Sequence, residues 1–289
     1  PNPKPQTPNP NPLYFLLNFM VNVFNNLMSR PEHQMPAECF YNSLEAEKYN
    51  KCSRIIKIQT EMTKRCLELI GIHFQSTNKI DLNDSNINTI ECDNDSNESM
   101  SENTEDNQSI NESIISNELN NKTLHILDIG CGSGLSGEVI EESGNMWWGV
   151  DISLDMLNIS KNKSITNELI MNDVGQGLFF STGFFDAAIS VSAIQWLCNA
   201  EKSEQNPWKR LLKFFEGLHR CLNLNGKAAL QFYPENDKQL EMISNAAIKS
   251  GFAGGLYVDY PNSSTARKYY LILSTSSEGK LGIIRKIRH

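Results

Sequence analysis

The sequence predicts an α/β fold: a seven-stranded, Rossmann-like sheet, mostly parallel and closed by a C-terminal antiparallel hairpin. Three observations carry this. An apolar run ending in Asp128 enters a glycine turn, Gly130-Cys-Gly-Ser-Gly134, which feeds a helix beginning near Leu135. Strand-like and helix-like segments then alternate, as a parallel sheet with crossover helices requires. Two further strands, Gly255 to Tyr260 and Tyr269 to Thr275, end the pattern with no helical segment between them.

Taken in order, residues 1 to 12 are almost entirely Pro and Asn and predict an extended, unpacked segment. Leu13 to Met28 is apolar but interrupted by Asn18, Asn22, Asn25 and Asn26. It lacks the ~20-residue length of a membrane span and a charged leader, so it predicts a marginal amphipathic helix and no membrane partner. Residues 1 to 28 form an N-terminal extension, and Met28-Ser-Arg-Pro-Glu offers an internal start. Residues 29 to 74 predict two helices. Pro36 to Tyr49 is short with an aromatic anchor; Ser53 caps the second, which runs to Ile70 with Ile55, Ile58, Met62, Cys66 and Leu69 at helical spacing. That apolar face needs a larger partner, and the flank of the glycine-turn domain supplies one, from which the helix can close over a ligand.

Residues 75 to 121 are Asn, Ser, Asp and Glu with isolated isoleucines, too polar to offset their ordering entropy, and predict a disordered insert. With eleven acids and one lysine the insert holds −10 against a chain total of −8, leaving about +2 elsewhere. The folded part is therefore neither barred from a nucleic-acid substrate by acidity nor marked for one by basicity.

The main domain, residues 122 to 275, continues with a second strand, Met146 to Val150, ending at Asp151, and a helix capped by Ser153 that runs to Lys161. Leu169 to Met171 is the third strand and Phe185 to Val191 the fourth. Pro207 starts a long helix with Leu211, Leu212, Phe215, Leu218 and Leu222 on its buried face, ended by Gly226. Lys227 to Tyr233 is the fifth strand, and Asn236 caps a helix to Lys249 before the closing hairpin. Residues 276 to 289 form a short basic tail. The seven cysteines are scattered with no C-x-x-C pair and the five histidines form no cluster, which predicts reduced thiols and no bound metal.

A glycine turn of this kind holds a nucleotide cofactor against the following helix N-terminus. Gly132-Ser-Gly134-Leu-Ser-Gly137 also meets the dinucleotide pattern G-x-G-x-x-G, with Asp151 at roughly the ~20-residue distance of a ribose-binding acid. Asp128 decides between cofactors: a carboxylate in the mouth of the turn repels a diphosphate and attracts the ammonium of an amino-acid cofactor. Asp-x-Gly-x-Gly-x-Gly resembles the first motif of S-adenosylmethionine-dependent methyltransferases, so S-adenosyl-L-methionine is the expected cofactor. Asp128, Gly130, Gly132 and Gly134 build its turn. Asp151 can accept from two ribose hydroxyls or cap the next helix. Asp173 can accept from the adenine amino group or close an Asx-turn. Ile152 and Val174, beside these acids, and Ser190 in the fourth strand complete the expected cofactor set.

Ligands of open α/β sheets sit outside the carboxyl ends of the strands. Ser192, Gln195 and Trp196 follow the fourth strand, and Tyr233 and Glu235 follow the fifth. These residues face the methyl acceptor, and Gln195, Trp196, Tyr233 and Glu235 form the expected catalytic set. Aromatic rings with amide and carboxylate groups suit an extruded purine, stacked on its face and read at its edge N–H groups. A core position is the competing role for Trp196. No acid/base pair or Cys-His pair stands near these ends. A purine N7 already presents a lone pair and loses no proton on attack, so positioning would carry the rate.

A closer resemblance rests on Phe-Tyr-Asn-x-x-Glu-Ala-x-Lys-Tyr (40 to 49), Ile-Gln-x-Glu-Met-Thr (58 to 63), the glycine-turn segment 127 to 137 and Asp-Val-Gly-Gln-Gly (173 to 177). Ala-Ile-Gln-Trp-Leu-Cys-Asn-Ala (193 to 200), Tyr-Pro-Glu-Asn (233 to 236) and Asp-Tyr-Pro-Asn-Ser (259 to 263) extend it. From about Met28 to Ser274, the insert apart, the sequence resembles the eukaryotic small-subunit (18S) rRNA guanine-N7 methyltransferases. The resemblance implies the methyltransferase sheet, nuclear methylation of one guanine in pre-ribosomal RNA during small-subunit maturation, and further nucleolar and cytoplasmic pools. It implies an obligate small zinc-binding activator protein docked near the third strand, about Glu168 to Val174, where Leu169, Ile170 and Met171 would leave the isolated chain poorly soluble. It places Asp128, Gly130 and Asp151 on S-adenosylmethionine, with Asp173 at its adenine. Family members continue into a long basic tail, whereas the tail here holds only Lys280, Arg285, Lys286 and Arg288. A scaffold role in small-subunit biogenesis and a small-molecule methyltransferase of the same fold are the alternatives.

Overall fold

The computed structural model describes residues 30–73, 122–163, 168–199, 206–263 and 265–276, with the backbone of 287–288. The N-terminal extension, the acidic insert and most of the basic tail lie outside the described residues. The sheet runs in the order β3-β2-β1-β4-β5-β7-β6-β8. Strands β1 (His125–Ile129), β2 (Met146–Asp151), β3 (Glu168–Met171), β4 (Phe185–Val191) and β5 (Leu222–Phe232) are parallel. β6 (Ala253–Asp259) and β7 (Lys268–Ser274) form the antiparallel closing pair, with β7 beside β5. The seven expected strands are present, and a two-residue β8 (Ile287–Arg288) adds a parallel edge beside β6. Strand order reverses between β1 and β4, which opens a crevice at their carboxyl ends.

The helices are α1 (Ala37–Phe40), α2 (Ser43–Lys51), α3 (Ser53–Leu69), α4 (Leu135–Glu142), α5 (Leu154–Lys161), α6 (Pro207–Cys221) and α7 (Asp237–Lys249). Four start under a side-chain cap: Asn42 before α2, and Ser153, which accepts from Met156 N, Asn206 from Lys209 N and Asn236 from Gln239 N. The helix expected over Pro36 to Tyr49 is instead two, because Asn42 accepts from Leu44 N and Glu45 N and so starts α2 afresh. Ser53 is the first helical residue of α3 rather than its cap; Cys52 holds that position without a side-chain bond. α6 ends at Cys221, before Gly226: Leu222 is already in β5, opposite Phe185, and Asn225 turns the strand with φ of 69°.

β1 and β4 are buried along nearly their whole length, as strands covered on both faces must be. Phe185, Phe214, Phe215 and Phe232 fill the core with Leu127, Ile189 and Leu211, while α6 packs on α7. α3 lies on α4, β4 and β5 and buries Met62, Thr63, Cys66 and Leu67; Ile55 and Ile58, nearer its start, stay half-buried. Among the described residues no helix is long and apolar enough to cross a membrane.

Candidate functional site

A cavity of about 510 Å³ lies among the segments that follow β1 to β5. Its floor is the turn after β1. Gly130 N and Cys131 N both donate to Val150 O, at 2.8 and 3.1 Å, which pins the turn to β2. Gly130 has φ of 71°, and a Cβ there would lie 2.3 Å from Ala193 Cβ. Gly132, with φ of 53°, has nothing within 4 Å of where its Cβ would be, so a ligand can approach its backbone.

Asp151 spans this turn and the next helix. Its Oδ2 accepts from Gly132 N at 2.9 Å and its Oδ1 from Ser153 N at 2.8 Å. Burial pushes its carboxyl up, and the backbone donors Ser153, Gly132 and Ile152 oppose the shift. The carboxylate keeps acceptor capacity for a ligand hydroxyl. Asp128 stands behind the cavity wall, wholly buried. Ser136, which lines the cavity, donates from Oγ to Asp128 Oδ2 at 2.5 Å, and Oδ1 has no partner among the described residues. Burial pushes this carboxyl up to about 7; the Ser136 hydroxyl pulls it down and the charge of Asp151 adds to the rise. A buried carboxylate oxygen without a donor is destabilising, and a cationic ligand group nearby would offset that.

At the far side, Asp173 is engaged on both oxygens. Arg210 Nη2 donates to its Oδ1 at 3.0 Å and Nη1 to its Oδ2 at 3.1 Å, while Gly175 N donates to Oδ1 at 3.0 Å. Gln176 Nε2 approaches Oδ2 at 3.4 Å. The carboxylate thus caps the short 3₁₀ turn Val174–Gln176 and holds Arg210 in the cavity lining, leaving little capacity for an adenine amino group.

The second half of the cavity follows β4 and β5. Ser192 has φ of 59°, and its N and Oγ both donate to Oε1 of the buried Gln231, at 3.0 and 2.9 Å, which fixes the strained end of β4. Gln195 Nε2 donates to Ser192 O at 2.9 Å, and its Oε1 is buried without a partner. Trp196 lies 6.1 Å from Phe40 and 5.9 Å from Tyr41, centroid to centroid, and is both a buried residue and part of the cavity wall. Tyr233 donates from its hydroxyl to Met62 Sδ at 3.4 Å under the ammonium of Lys268, 5.4 Å from the ring centre.

The segment before α1 straps across this half. Arg30 donates to Tyr233 O at 3.2 Å and Pro234 O at 3.3 Å, Asn199 Nδ2 donates to Glu32 O at 2.8 Å, and Ser153 Oγ donates to Tyr41 O at 2.7 Å. Glu32, Tyr41, Tyr49 and Gln59 join the lining. Burial pushes the Tyr41 hydroxyl up, and the charges of Asp151 and Glu32 push it further; burial does the same to Tyr49.

Of the residues expected from the sequence, Gly130, Gly132, Asp151, Ile152, Asp173, Val174, Gln195, Trp196 and Tyr233 line one cavity. Four do not. Asp128 sits behind the wall. Gly134 faces Ser160, whose Oγ would lie 2.5 Å from an added Cβ. Ser190 is wholly buried and donates from Oγ to Ile129 O at 2.8 Å, tying β4 to β1. Glu235 points outward, with Oε2 3.5 Å from His33 Nε2. The sequence reading assigned nothing to Arg30, Glu32 or Arg210. The first two come from far upstream, and Arg210 sits on a helix whose apolar row is its visible signal. Among the described residues no three His, Cys, Asp or Glu side chains gather as metal ligands.

Four acids in the lining, Glu32, Glu38, Asp151 and Asp173, and the orphaned oxygen of Asp128 behind it disfavour a diphosphate and fit a cationic amino-acid nucleoside. S-adenosylmethionine is such a molecule. A family model described as a methyltransferase domain matches residues 127–230. The chain is 45% identical over 250 residues to a probable 18S rRNA (guanine-N(7))-methyltransferase of Dictyostelium discoideum, covering 86% of this chain and 71% of that protein. It is 41% identical over 244 residues to the 18S rRNA (guanine-N(7))-methyltransferase of Mus musculus, covering 84% and 70%. With the 18S rRNA (guanine(1575)-N(7))-methyltransferase of Saccharomyces cerevisiae it shares 40% identity over 251 residues, covering 86% and 74%.

Proposed function

The chain belongs to the 18S rRNA (guanine-N7)-methyltransferase family, and we propose that the cavity above is where it transfers a methyl group from S-adenosylmethionine to N7 of a guanine in small-subunit rRNA. The observation that carries the site assignment is the pairing of Asp151, open to the cavity, with the unpaired buried oxygen of Asp128 behind the same glycine turn. S-adenosylmethionine, when bound, supplies an electrophilic methyl carbon on a sulfonium.

The chain's own residues do the rest. Asp128 and the turn at Gly130 to Gly132 would hold the cofactor's ammonium end, Asp151 its ribose hydroxyls, and Ile152, Val174 and the Asp173–Arg210 pair would border its adenine. Gln195, Trp196 and Tyr233 would seat the purine. Transfer would join the methyl carbon to the N7 lone pair, with the electrons of the broken C–S bond left on sulfur and the positive charge on the purine. No proton leaves N7, so no base is required. Tyr41 and Tyr49, with hydroxyls held protonated, serve as walls that exclude water rather than as bases. Alignment of N7 with the methyl carbon carries the rate.

Titration calorimetry of S-adenosylmethionine tests the site. Asp151→Ala and Asp128→Ala are each expected to weaken binding, by roughly tenfold or more for a lost charge-assisted hydrogen bond. Unchanged affinity in both variants would contradict the assignment.

We further propose residues 29–74 as a cover on a catalytic domain of residues 122–275, nuclear action on the pre-ribosomal small subunit, and a small zinc-binding activator protein on β3. What supports the last is that β3 is a sheet edge with Ile170 and Met171 exposed. An edge of this kind presents unpaired backbone groups and apolar side chains to a partner. Ile170→Asp with Met171→Asp should abolish co-purification with the activator; full solubility and activity of the chain without any partner would count against it.

A further inference from the structure

The acceptor half of the cavity contains a carboxylate to which neither the motifs nor the reaction assigns a role. Glu32 sits on the 3₁₀ turn Pro31–His33, and its side chain is 7% exposed and lines the cavity. Its position is fixed from the acceptor side. Its carbonyl accepts from Asn199, just past the turn after β4, and the neighbouring Arg30 is bound to Tyr233 O and Pro234 O, just past β5. The contact of Glu32 Oε1 with Arg30 Nη1 is long, 3.4 Å, because that guanidinium also serves the two carbonyls. Gln195 Oε1 is a second acceptor in the same lining, buried and without a partner.

We propose that Glu32, with Gln195 of the same lining, reads the Watson–Crick edge of the target guanine. This rests on the guanine-N7 reading above. Guanine is the RNA base that presents two adjacent donors there, N1–H and an N2–H, at the spacing of a carboxylate's two oxygens. Adenine N1, cytosine N3 and the uracil carbonyls are acceptors, and a carboxylate repels them. The Watson–Crick edge lies away from N7, so holding it leaves N7 free to face the methyl carbon. Attack also places a positive charge on the purine and makes its N1–H a stronger donor. The carboxylate then binds the transition state more tightly than the ground state, which raises turnover as well as selectivity.

The test uses the full-length chain with its activator and small-subunit precursor particles from cells lacking the enzyme. Turnover, KM for particles, affinity for S-adenosylmethionine and melting temperature are measured for wild type, Glu32→Gln, Glu32→Asp and Arg30→Met. Glu32→Gln is expected to lose roughly 10- to 100-fold in kcat, the effect of one or two charge-assisted hydrogen bonds. Its cofactor affinity and melting temperature should stay at wild-type values, with partial activity in Glu32→Asp. Wild-type turnover in Glu32→Gln overturns the proposal, and so does a loss of cofactor affinity and melting temperature matching Arg30→Met, which would make Glu32 a strap residue. Failure of the underlying reading is separate: in that case the wild type itself places no methyl on a guanine N7.

Discussion

Asp128 illustrates how one side chain ties cofactor choice to stability. Burial lifts its carboxyl from 3.8 to about 7, so the folded chain holds this proton more tightly than the unfolded chain does. The stability it contributes is present below the unfolded value and declines as pH rises from about 4 to about 7. Ligand-free Asp128→Asn should therefore melt with a shallower decline over that window than the wild type. Equal slopes would mean that Asp128 is not a strained carboxylate. At this scale the sequence placed Asp151 and Asp173 at one cavity, because the first ends β2 and the second follows β3 by two residues, and the end of a strand fixes where a side chain goes. It told less about capacity: that both Asp173 oxygens are taken depends on Arg210, 37 residues away. Glu235 shows the converse. It follows Tyr233 by two positions, yet Tyr233 lines the cavity while Glu235 turns out to His33.

Elements were legible where periodicity decides and blurred where a single cap does. β4 came out residue for residue, its mostly apolar run from Phe185 to Val191 lying between Gly183-Phe184 and Ser192. The Pro36 to Tyr49 helix broke in two because Asn42 caps in its middle. The end of α6 was placed late because Asn225-Gly226 is also a common helix stop. α4 shows packing overriding propensity. Alanine is favoured over glycine inside a helix by about 1 kcal/mol. At Gly137, however, an added Cβ would lie 2.1 Å from Cζ2 of the Trp147 ring. Gly137→Ala should therefore destabilise the protein by about 1–3 kcal/mol, the range for overpacking, as a lower urea midpoint at unchanged slope. A higher midpoint would contradict this packing of α4 on β2.

For the whole molecule, regular alternation after the glycine turn was enough for the parallel sheet, and the helix-free final pair for the antiparallel close. A helix closing over the site could be read from the apolar face of residues 53 to 70, but not which side chains of the upstream segment would line it. Residues 30 to 59 reach it across the long insert, and no local pattern marks a side chain that will line a cavity built more than sixty residues later. The acidic insert, at −10, also masks a remainder near neutrality, so net charge says little about RNA and the site must carry that argument. The most direct measurement is chemical cleavage mapping of N7-methylguanine in small-subunit rRNA. It compares cells whose sole copy is the intact protein with cells whose sole copy is Asp151→Ala, after calorimetry has established that the variant no longer binds S-adenosylmethionine. The cleavage signal at one guanine should be present in the first and lost in the second. If every N7-methylguanine persists in cells carrying that variant, this cavity is not the source of the methylation.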